Sequence, residues 1–144
     1  DTAPRVAADA MGRVHVVYQH GTDTYWAYSD DDGQHWGAAM AAISGGTHPT
    51  IAEANDSSGL VVIAAYVSGA IVARTFWAGQ ATLSTQFTFA DTGGAALALA
   101  DDSFHILPAH EPSRRWMMHC HISGEAATSV WASSDDCLHW SRLT

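Results

Sequence analysis

Residues 29–36 of this chain read Ser-Asp-Asp-Asp-Gly-Gln-His-Trp, and residues 133–140 read Ser-Ser-Asp-Asp-Cys-Leu-His-Trp. Both fit the pattern Ser-x-Asp-x-Gly-x-x-Trp, except that Cys137 replaces the glycine in the second copy. The pattern predicts a tight turn between two strands, because short polar side chains can bind its backbone amides. Glycine supplies a positive φ there, so Cys137 should cost roughly 1 kcal/mol. We expect Trp36 and Trp140 to pack between strands.

A longer repeat surrounds these turns. Pro4 and Pro49 lie 45 positions apart, and each opens a strand pattern followed by a turn glycine and a more apolar strand pattern. A third copy can be read with its first strand at residues 106–109 or at residues 95–100. A repeat of roughly 45 residues matches one β-propeller blade. Either register gives three blades, and the middle blade has only Ala-Gly-Gln at residues 78–80 in place of the polar turn.

Short runs rich in Val, Ile, Tyr, Trp and Thr recur between turn residues, and no helix is predicted. The predicted fold is all-β: a partial β-propeller of about three four-stranded antiparallel blades, approximately residues 1–45, 46–92 and 93–144 of a single domain. Residues 95–109 are expected to add a hairpin. The candidate strands are Arg5–Ala8, Val14–Gln19, Thr24–Ser29, Thr50–Ala54, Leu60–Val67, Ile71–Trp77, Gln86–Ala90, Trp116–Ile122 and Ser129–Ser133.

Composition excludes several classes of protein. The 144 residues are 47% hydrophobic and 15% charged, which is typical of a packed domain rather than a disordered chain. A net charge of −9, with six Arg and no Lys, argues against nucleic acid as a partner. No apolar run approaches the roughly 20 residues needed for membrane insertion. Cys120 and Cys137 are too few for a disulfide framework, and their pairing stays open.

The polar turn pattern resembles the Asp box of sialidases and related β-propellers. In that family the boxes are structural turns on the rim, away from the sugar site, so the resemblance implies a fold and not a reaction. The middle blade lacks a box. The positions that match the box are Ser29, Asp31, Gly33 and Trp36 in the first copy, and Ser133, Asp135 and Trp140 in the second.

The first forty residues also resemble the start of a sialidase. Arg5 takes the place of an arginine that clamps the substrate carboxylate, a role that suits a planar guanidinium. Asp23 takes the place of the catalytic acid/base. Ala7 stands where the family has proline. The remaining machinery, a Tyr nucleophile with its Glu and two further arginines, has no assignment among Glu53, Glu111, Glu125, Arg74, Arg114 and Arg115.

A different resemblance concerns metal binding. Residues 116–122, Trp-Met-Met-His-Cys-His-Ile, look like the segment of multicopper oxidases that bridges two types of copper site. That family needs a histidine where Glu125 stands, and usually Met or Leu where Val130 stands. We therefore expect an ordinary strand, with no metal and no other cofactor.

Nine histidines in 144 residues is a high number. His15, His35 and His139 recur near strand or turn positions, and His35 and His139 each precede a Trp of the turn pattern. We expect these three side chains to be half-buried or to lie on the rim. Any histidine that is buried in its neutral form should make the protein sensitive to acid.

Three blades would leave two uncovered sheet faces, which predicts that another chain or domain completes the propeller. The first functional hypothesis is glycan recognition outside the cell or on a virion surface. The second is a fragment or subunit of a sialidase-like glycoside hydrolase that uses Arg5 and Asp23. The third is a structural or protein-interaction module. Under the first hypothesis, the stacking platforms for sugar are Trp26, Tyr28, Trp77 and Trp131.

Overall fold

The part of the chain that the structure describes folds into β-sheets. The computed structural model describes residues 2–54, 56–89, 105–109, 114–120, 126, 129–135, 137 and 139–144. Within these ranges the strands form three four-stranded antiparallel sheets. The same ranges contain no helix, and so none that could span a bilayer. The predicted all-β class and the three four-stranded antiparallel sheets are confirmed.

Each sheet consists of four strands that follow one another along the chain, each paired with the next. The first sheet contains β1 (Thr2–Ala8), β2 (Val14–His20), β3 (Asp23–Ser29) and β4 (Met40–Ile43). The second contains β5 (Thr47–Glu53), β6 (Leu60–Val67), β7 (Ala70–Trp77) and β8 (Phe87–Thr88). The third contains β9 (His105–Pro108), β10 (Trp116–Cys120), β11 (Ser129–Ser133) and β12 (Ser141–Arg142).

The strands differ in part from those expected. β4 and β12 had no strand pattern to reveal them, and β8 is shorter than the predicted Gln86–Ala90, whose last residue lies outside the described ranges. β9 opens the third sheet, which confirms the register that starts at residues 106–109. The alternative strand at 95–100, most of the hairpin expected over 95–109 and the end of the predicted Trp116–Ile122 lie outside the described residues.

The second sheet packs between the other two sheets, and its strands are accordingly apolar on both sides. Successive side chains of a strand point to opposite faces. From β6, Val61, Ile63 and Ala65 pack in one cluster with residues of the first sheet. Leu60, Val62 and Ala64 pack in another cluster with residues of the third sheet. The two hydrophobic clusters are therefore the contacts between neighbouring sheets.

The first strands of the three sheets, β1, β5 and β9, lie side by side. Residues 6–8, 51–54 and 106–108 line a groove with a cavity volume of about 410 Å³ along them. β5 and β9 are joined by a hydrogen bond in which the Ile106 amide donates to Thr50 Oγ1 at 3.1 Å. The three sheets therefore contact one another along their first strands, β1, β5 and β9.

A buried carboxylate joins the first sheet to the second. Asp9 lies in the turn after β1, and its Oδ1 accepts hydrogen bonds from the amides of Met11 (2.9 Å) and Arg13 (3.0 Å). Its Oδ2 accepts from the amide of Gly79 (2.9 Å), which follows β7 of the second sheet, and contacts His15 Nε2 at 3.0 Å. The Asp9 and His15 side chains have no exposed surface. Asp9 therefore ties the two sheets at their turn end.

The neighbours of His15 fix its protonation state. Trp26 Nε1, which can only donate, lies 3.2 Å from His15 Nδ1, so the proton is on Nε2, which donates to Asp9. Burial is the main cause that lowers the pKa of His15, and the hydrogen bond to Asp9 opposes it. Burial acts to raise the pKa of Asp9, but its hydrogen bonds, led by the one from Gly79, outweigh burial and lower that pKa. The expectation of a half-buried or rim histidine is wrong for His15.

We expect the free energy of unfolding to decrease as the pH falls below about 6.5, the pKa of an unperturbed histidine. The unfolded state then binds a proton at His15 that the folded state resists, so folding loses stability. Asp9, with its lowered pKa, adds a further loss below its ordinary value of 3.8. The variant His15→Gln should weaken the pH dependence between 6.5 and 5, because an amide can accept from Trp26 and donate to Asp9 without titrating. Urea unfolding at several pH values measures this.

The matched control is His20→Gln, a change at an exposed histidine of the same strand. The control should keep the pH dependence of the natural sequence. Equal pH dependence in the His15→Gln variant and the natural sequence would contradict the assignment.

Candidate functional site

Residues 29–36, called the first corner turn, begin the connection from β3 to β4. Hydrogen bonds from side chains within the turn stabilise it. Ser29 Oγ donates to Asp31 Oδ1 (2.7 Å) and accepts from the Gly33 amide (2.9 Å). Asp31 Oδ1 accepts from the His35 amide (2.8 Å), and Asp31 Oδ2 lies 2.5 Å from His35 Nδ1. The bonds from His35 and then Ser29 lower the pKa of Asp31. The carboxylate therefore holds both ends of the turn.

Residues 133–140, the second corner turn, follow β11, and their described residues repeat the bonds to the turn aspartate. Ser133 Oγ donates to Asp135 Oδ1 (2.8 Å), which also accepts from the His139 amide (3.3 Å). His139 Nδ1 lies 2.6 Å from Asp135 Oδ2. Cys137 has a φ of 69°, close to the 84° of Gly33 at the equivalent position. The cysteine thus adopts the left-handed backbone, and the bonds to the turn aspartate are kept.

The two turns differ in the burial of their tryptophans. Trp140 is 2% exposed, and its Nε1 donates to the Cys137 carbonyl at 2.7 Å. Its ring lies 4.9 Å from that of Phe89, between centroids. Trp36 is 45% exposed. The expectation that the turn tryptophans pack between strands fits Trp140 and is wrong for Trp36.

The position of each turn in the stack explains the difference. Phe89 follows β8, so Trp140 packs against the sheet that precedes its own along the chain. Trp36 belongs to the first sheet, and no described strand lies before β1. The Trp36 indole lies close to Gly33 instead. A Cβ added to Gly33 would be 3.6 Å from Cζ2 of Trp36. The Trp36 ring is exposed, and no described sheet packs against it.

Within the described residues, the first and third sheets each have one face on which no other sheet packs. The front end face is the side of the first sheet turned away from the second, and the rear end face is the side of the third sheet turned away from the second. Large apolar residues are exposed on both, with Val6 at 64%, Leu107 at 45% and Leu143 at 39%. From strand pairing, the front end face carries Val6, Val14, Val16, Tyr18, Tyr25 and Ala41. The rear end face carries Leu107, Met117, His119, Val130 and Leu143.

The groove along the first strands contains one ionisable side chain, Glu53, among its described lining residues. Burial raises the pKa of Glu53, and the charges of Asp9 and Asp56 act in the same direction, against a hydrogen bond from the Ala10 amide. The sequence did not predict Glu53 as a site residue, because Glu53 belongs to no recognised motif. Glycoside hydrolysis ordinarily needs two carboxyl groups across the scissile bond, and this lining supplies one.

The two residues proposed for sialidase chemistry lie on different strands, β1 and β3, and no hydrogen bond or ion pair described here joins them. Asp23 Oδ1 accepts from the Gly45 amide (2.7 Å) and contacts Ser44 Oγ (3.4 Å), so it stabilises the connection between the first two sheets. Arg5 NH1 donates to the Pro4 carbonyl (3.2 Å), and Arg5 Nε is buried without a hydrogen-bond partner. Neither residue lines the groove.

Two of the four proposed sugar platforms are buried. Trp26 is 0% exposed and Trp131 is 4% exposed, so the expectation that their rings stack on a glycan is wrong. Both sit on the covered side of their sheets, in the contacts with the second sheet. Tyr28 is half-buried, with the Arg13 guanidinium 4.1 Å above its ring. Trp77 is 48% exposed at the end of β7.

Arg13 was not anticipated from the sequence, although it links two corners. Its Nε and NH2 bind the two carboxylate oxygens of Asp30 at 2.6 and 3.3 Å, and its NH1 donates to the Gln80 carbonyl at 3.2 Å. Asp30 lies in the first corner turn and Gln80 follows β7. A single guanidinium therefore joins the turn ends of the first and second sheets.

The segment that resembles a copper site forms β10. His119 and Cys120 are neighbours on this strand and point to opposite faces. His121 and Glu125 lie outside the described residues. Among the residues that are described, no three His, Cys, Asp or Glu side chains come together as metal ligands. Cys120 and Cys137 are both buried and lie at opposite ends of the third sheet.

No protein-family model matches the chain, and no curated protein matches it significantly.

We expect Gly33→Ala to destabilise the protein by about 1–2 kcal/mol, the cost of a left-handed backbone for a residue with a Cβ. Space is not the cause, since the added Cβ would make ordinary contact with Trp36 at 3.6 Å. Urea unfolding measures the loss. Gly37→Ala is the control in the same segment, because Gly37 is not among the described glycines with positive φ. Equal losses in both variants would rule out backbone strain at Gly33.

Proposed function

We propose that this chain is a structural and protein-interaction module: three blades of a β-propeller whose two end faces bind further sheets. The observation that carries the proposal is the contrast between Trp140, 2% exposed, and Trp36, 45% exposed, at equivalent positions of the same turn. The contact that buries Trp140 is made by the preceding sheet. The same contact is open at the front end face.

The chemistry of the end faces supports this proposal. The residues named above for the two end faces are apolar or aromatic apart from His119, although the whole chain has a net charge of −9. By the same pairing, Asp23 lies opposite His20 at the hairpin end of the front end face. Contiguous apolar surface without charge is typical of a protein-protein interface, and it is rare on the solvent-exposed surface of a monomer. Uncovered sheets of this kind associate unless a partner covers them.

Substitution of Val6 by Glu should weaken association of the chain at least tenfold, which is about 1.4 kcal/mol, because a charge would enter an apolar contact. Val6 is 64% exposed, so the folded chain itself should tolerate the change. Sedimentation velocity over a range of concentrations measures the association. Met11→Glu is the control, since Met11 is 75% exposed in a turn away from both end faces. Association of the Val6→Glu variant that equals association of the natural sequence would refute a binding role of the front end face.

A second candidate function is glycan recognition on the outside of a cell or virion, which one observation favours. Trp77 keeps 48% of its surface exposed at the turn end of the second sheet, and an exposed indole is a stacking surface for a ligand ring. Of the four platforms expected from the sequence, Trp77 alone has an open ring among the described residues. Hydrolysis of a glycan has no comparable support in the described groove.

For this second function, Trp77→Ala should weaken glycan binding by about 2 kcal/mol, or roughly thirtyfold, as expected for an aromatic anchor. A glycan array followed by calorimetry on the best ligand measures the loss. Trp36→Ala is the control, because Trp36 is similarly exposed but lies in the first corner turn of a different sheet. A chain that binds no glycan on the array would remove this candidate.

A further inference from the structure

We propose that the groove along the first strands binds a small molecule with a primary ammonium group, which lies at Glu53, and an apolar body, which lies along the rest of the groove. The proposal goes beyond the interaction function, which concerns the end faces, and does not rest on it. Three features of the described residues carry it: the carboxylate of Glu53, main-chain carbonyl oxygens at the same end of the groove, and the aliphatic side chains of the lining.

Glu53 brings a carboxylate to the groove where β5 ends. This carboxylate accepts a hydrogen bond from the amide of Ala10, which lies in the turn after β1. An ionised carboxylate offers about four acceptor positions, so the Ala10 amide leaves room for further donors. Among the described residues, no Arg or His side chain forms an ion pair with Glu53. The carboxylate can therefore accept hydrogen bonds from a ligand.

The charges around Glu53 favour a cation. Burial is the main cause that raises the pKa of Glu53, and the charges of Asp9 and Asp56 add to it. Asp9 is bonded to His15, which is neutral, and Asp56 forms an ion pair with Arg115. A cation beside Glu53 would lower the repulsion among these carboxylates and stabilise the charged form of Glu53.

Main-chain carbonyl oxygens face the same end of the groove. The residue after each first strand donates its amide to the carbonyl of the residue opposite it, over 2.8–3.0 Å, and these residues are Asp9, Ala54 and Ala109. In an antiparallel ladder, such bonded pairs alternate with pairs that exchange no hydrogen bonds. The last residues of the first strands belong to the second kind, and they are Ala8, Glu53 and Pro108. Their carbonyl oxygens therefore point away from the neighbouring strand, towards the groove that all three residues line.

An ammonium group suits these acceptors better than a metal ion does. A primary ammonium group carries one positive charge and three N–H donors, which match one carboxylate and several carbonyl oxygens. Ca²⁺ takes about six to eight oxygen ligands, more than the carboxylate of Glu53 and these carbonyls supply. The described residues also contain no group of three His, Cys, Asp or Glu side chains that could hold a metal ion.

The rest of the groove suits an apolar body. Apart from Glu53, every side chain described in its lining is that of Val, Ala, Ile, Leu or Pro. The cavity volume of about 410 Å³ lies within the range of about 300–1,000 Å³ that is usual for small-molecule sites. Such sites are mostly apolar, with a few polar groups that orient the ligand. Glu53 and the carbonyl oxygens beside it are the orienting groups here.

The experiment titrates the 144-residue chain with hexylamine at neutral pH and follows binding by calorimetry. Two probes with the same alkyl chain separate the parts of the site, because hexanol has no charge and hexyltrimethylammonium has a charge without N–H donors. We expect hexylamine to bind at least tenfold more tightly than either probe. The absence of hexylamine binding, or equal affinity for hexanol, would overturn the proposal.

The variant Glu53→Gln should weaken hexylamine binding at least tenfold. Its side-chain amide oxygen still accepts from the Ala10 amide, so the fold should be kept. The matched control is Asp32→Asn, which removes the same charge from an exposed residue of the first corner turn and should leave the affinity unchanged. Equal losses in the two variants would show an effect of net charge alone and would overturn the site.

A second measurement follows the protonation of Glu53 directly. The chain has three glutamates, so loss of one carboxyl carbon NMR signal in Glu53→Gln identifies that of Glu53. Saturating hexylamine should lower the pKa of Glu53, because a bound cation favours the charged carboxylate. An unchanged pKa, or binding of a lysine-containing peptide without binding of hexylamine, would overturn the small-molecule site. Neither outcome bears on association through the end faces, which sedimentation measures separately.

Discussion

The junction of the first two sheets depends on the carboxylate of Asp9. This carboxylate has no exposed surface and accepts hydrogen bonds from four N–H donors. A buried charge is costly unless it is fully hydrogen-bonded, so each donor has to be in place. Two donors come from the turn of Asp9 itself, one from His15 and one from the second sheet at Gly79. The neutral ring of His15 extends this network to Trp26 in the core. Folding of the turn and docking of the second sheet are therefore coupled through one side chain.

Local patterns predicted local structure. The corner turns were visible because their bonds span no more than four residues, from Ser29 to Gly33 and from Asp31 to His35. Most long strands were visible from their apolar runs. β4 and β12 were missed because they are short and follow no alternation. The Asp9 network was missed because Gly79 lies seventy positions away, and no pattern links an acidic residue to a distant amide.

The candidate site was harder to predict, because burial depends on neighbouring sheets. Trp36 and Trp140 occupy the same motif, yet one is 45% and the other 2% exposed. Trp26 and Trp131 had the appearance of sugar platforms in sequence, but both lie on covered sides of their sheets. Which side of a strand is covered follows from the order of sheets in space. A single strand pattern carries no information on that order.

The hydrogen bond between Thr50 and Ile106 affects how the inner edge of the sheets behaves. β9 is the edge strand of its sheet, and edge amides are donors that another chain could use to extend the sheet. The Ile106 amide donates its hydrogen bond to the hydroxyl of Thr50, which belongs to the neighbouring sheet, and both groups are buried. A side chain thus blocks a main-chain position at which amyloid-like strand addition could begin. The groove between the first strands can stay open without exposing this donor to aggregation.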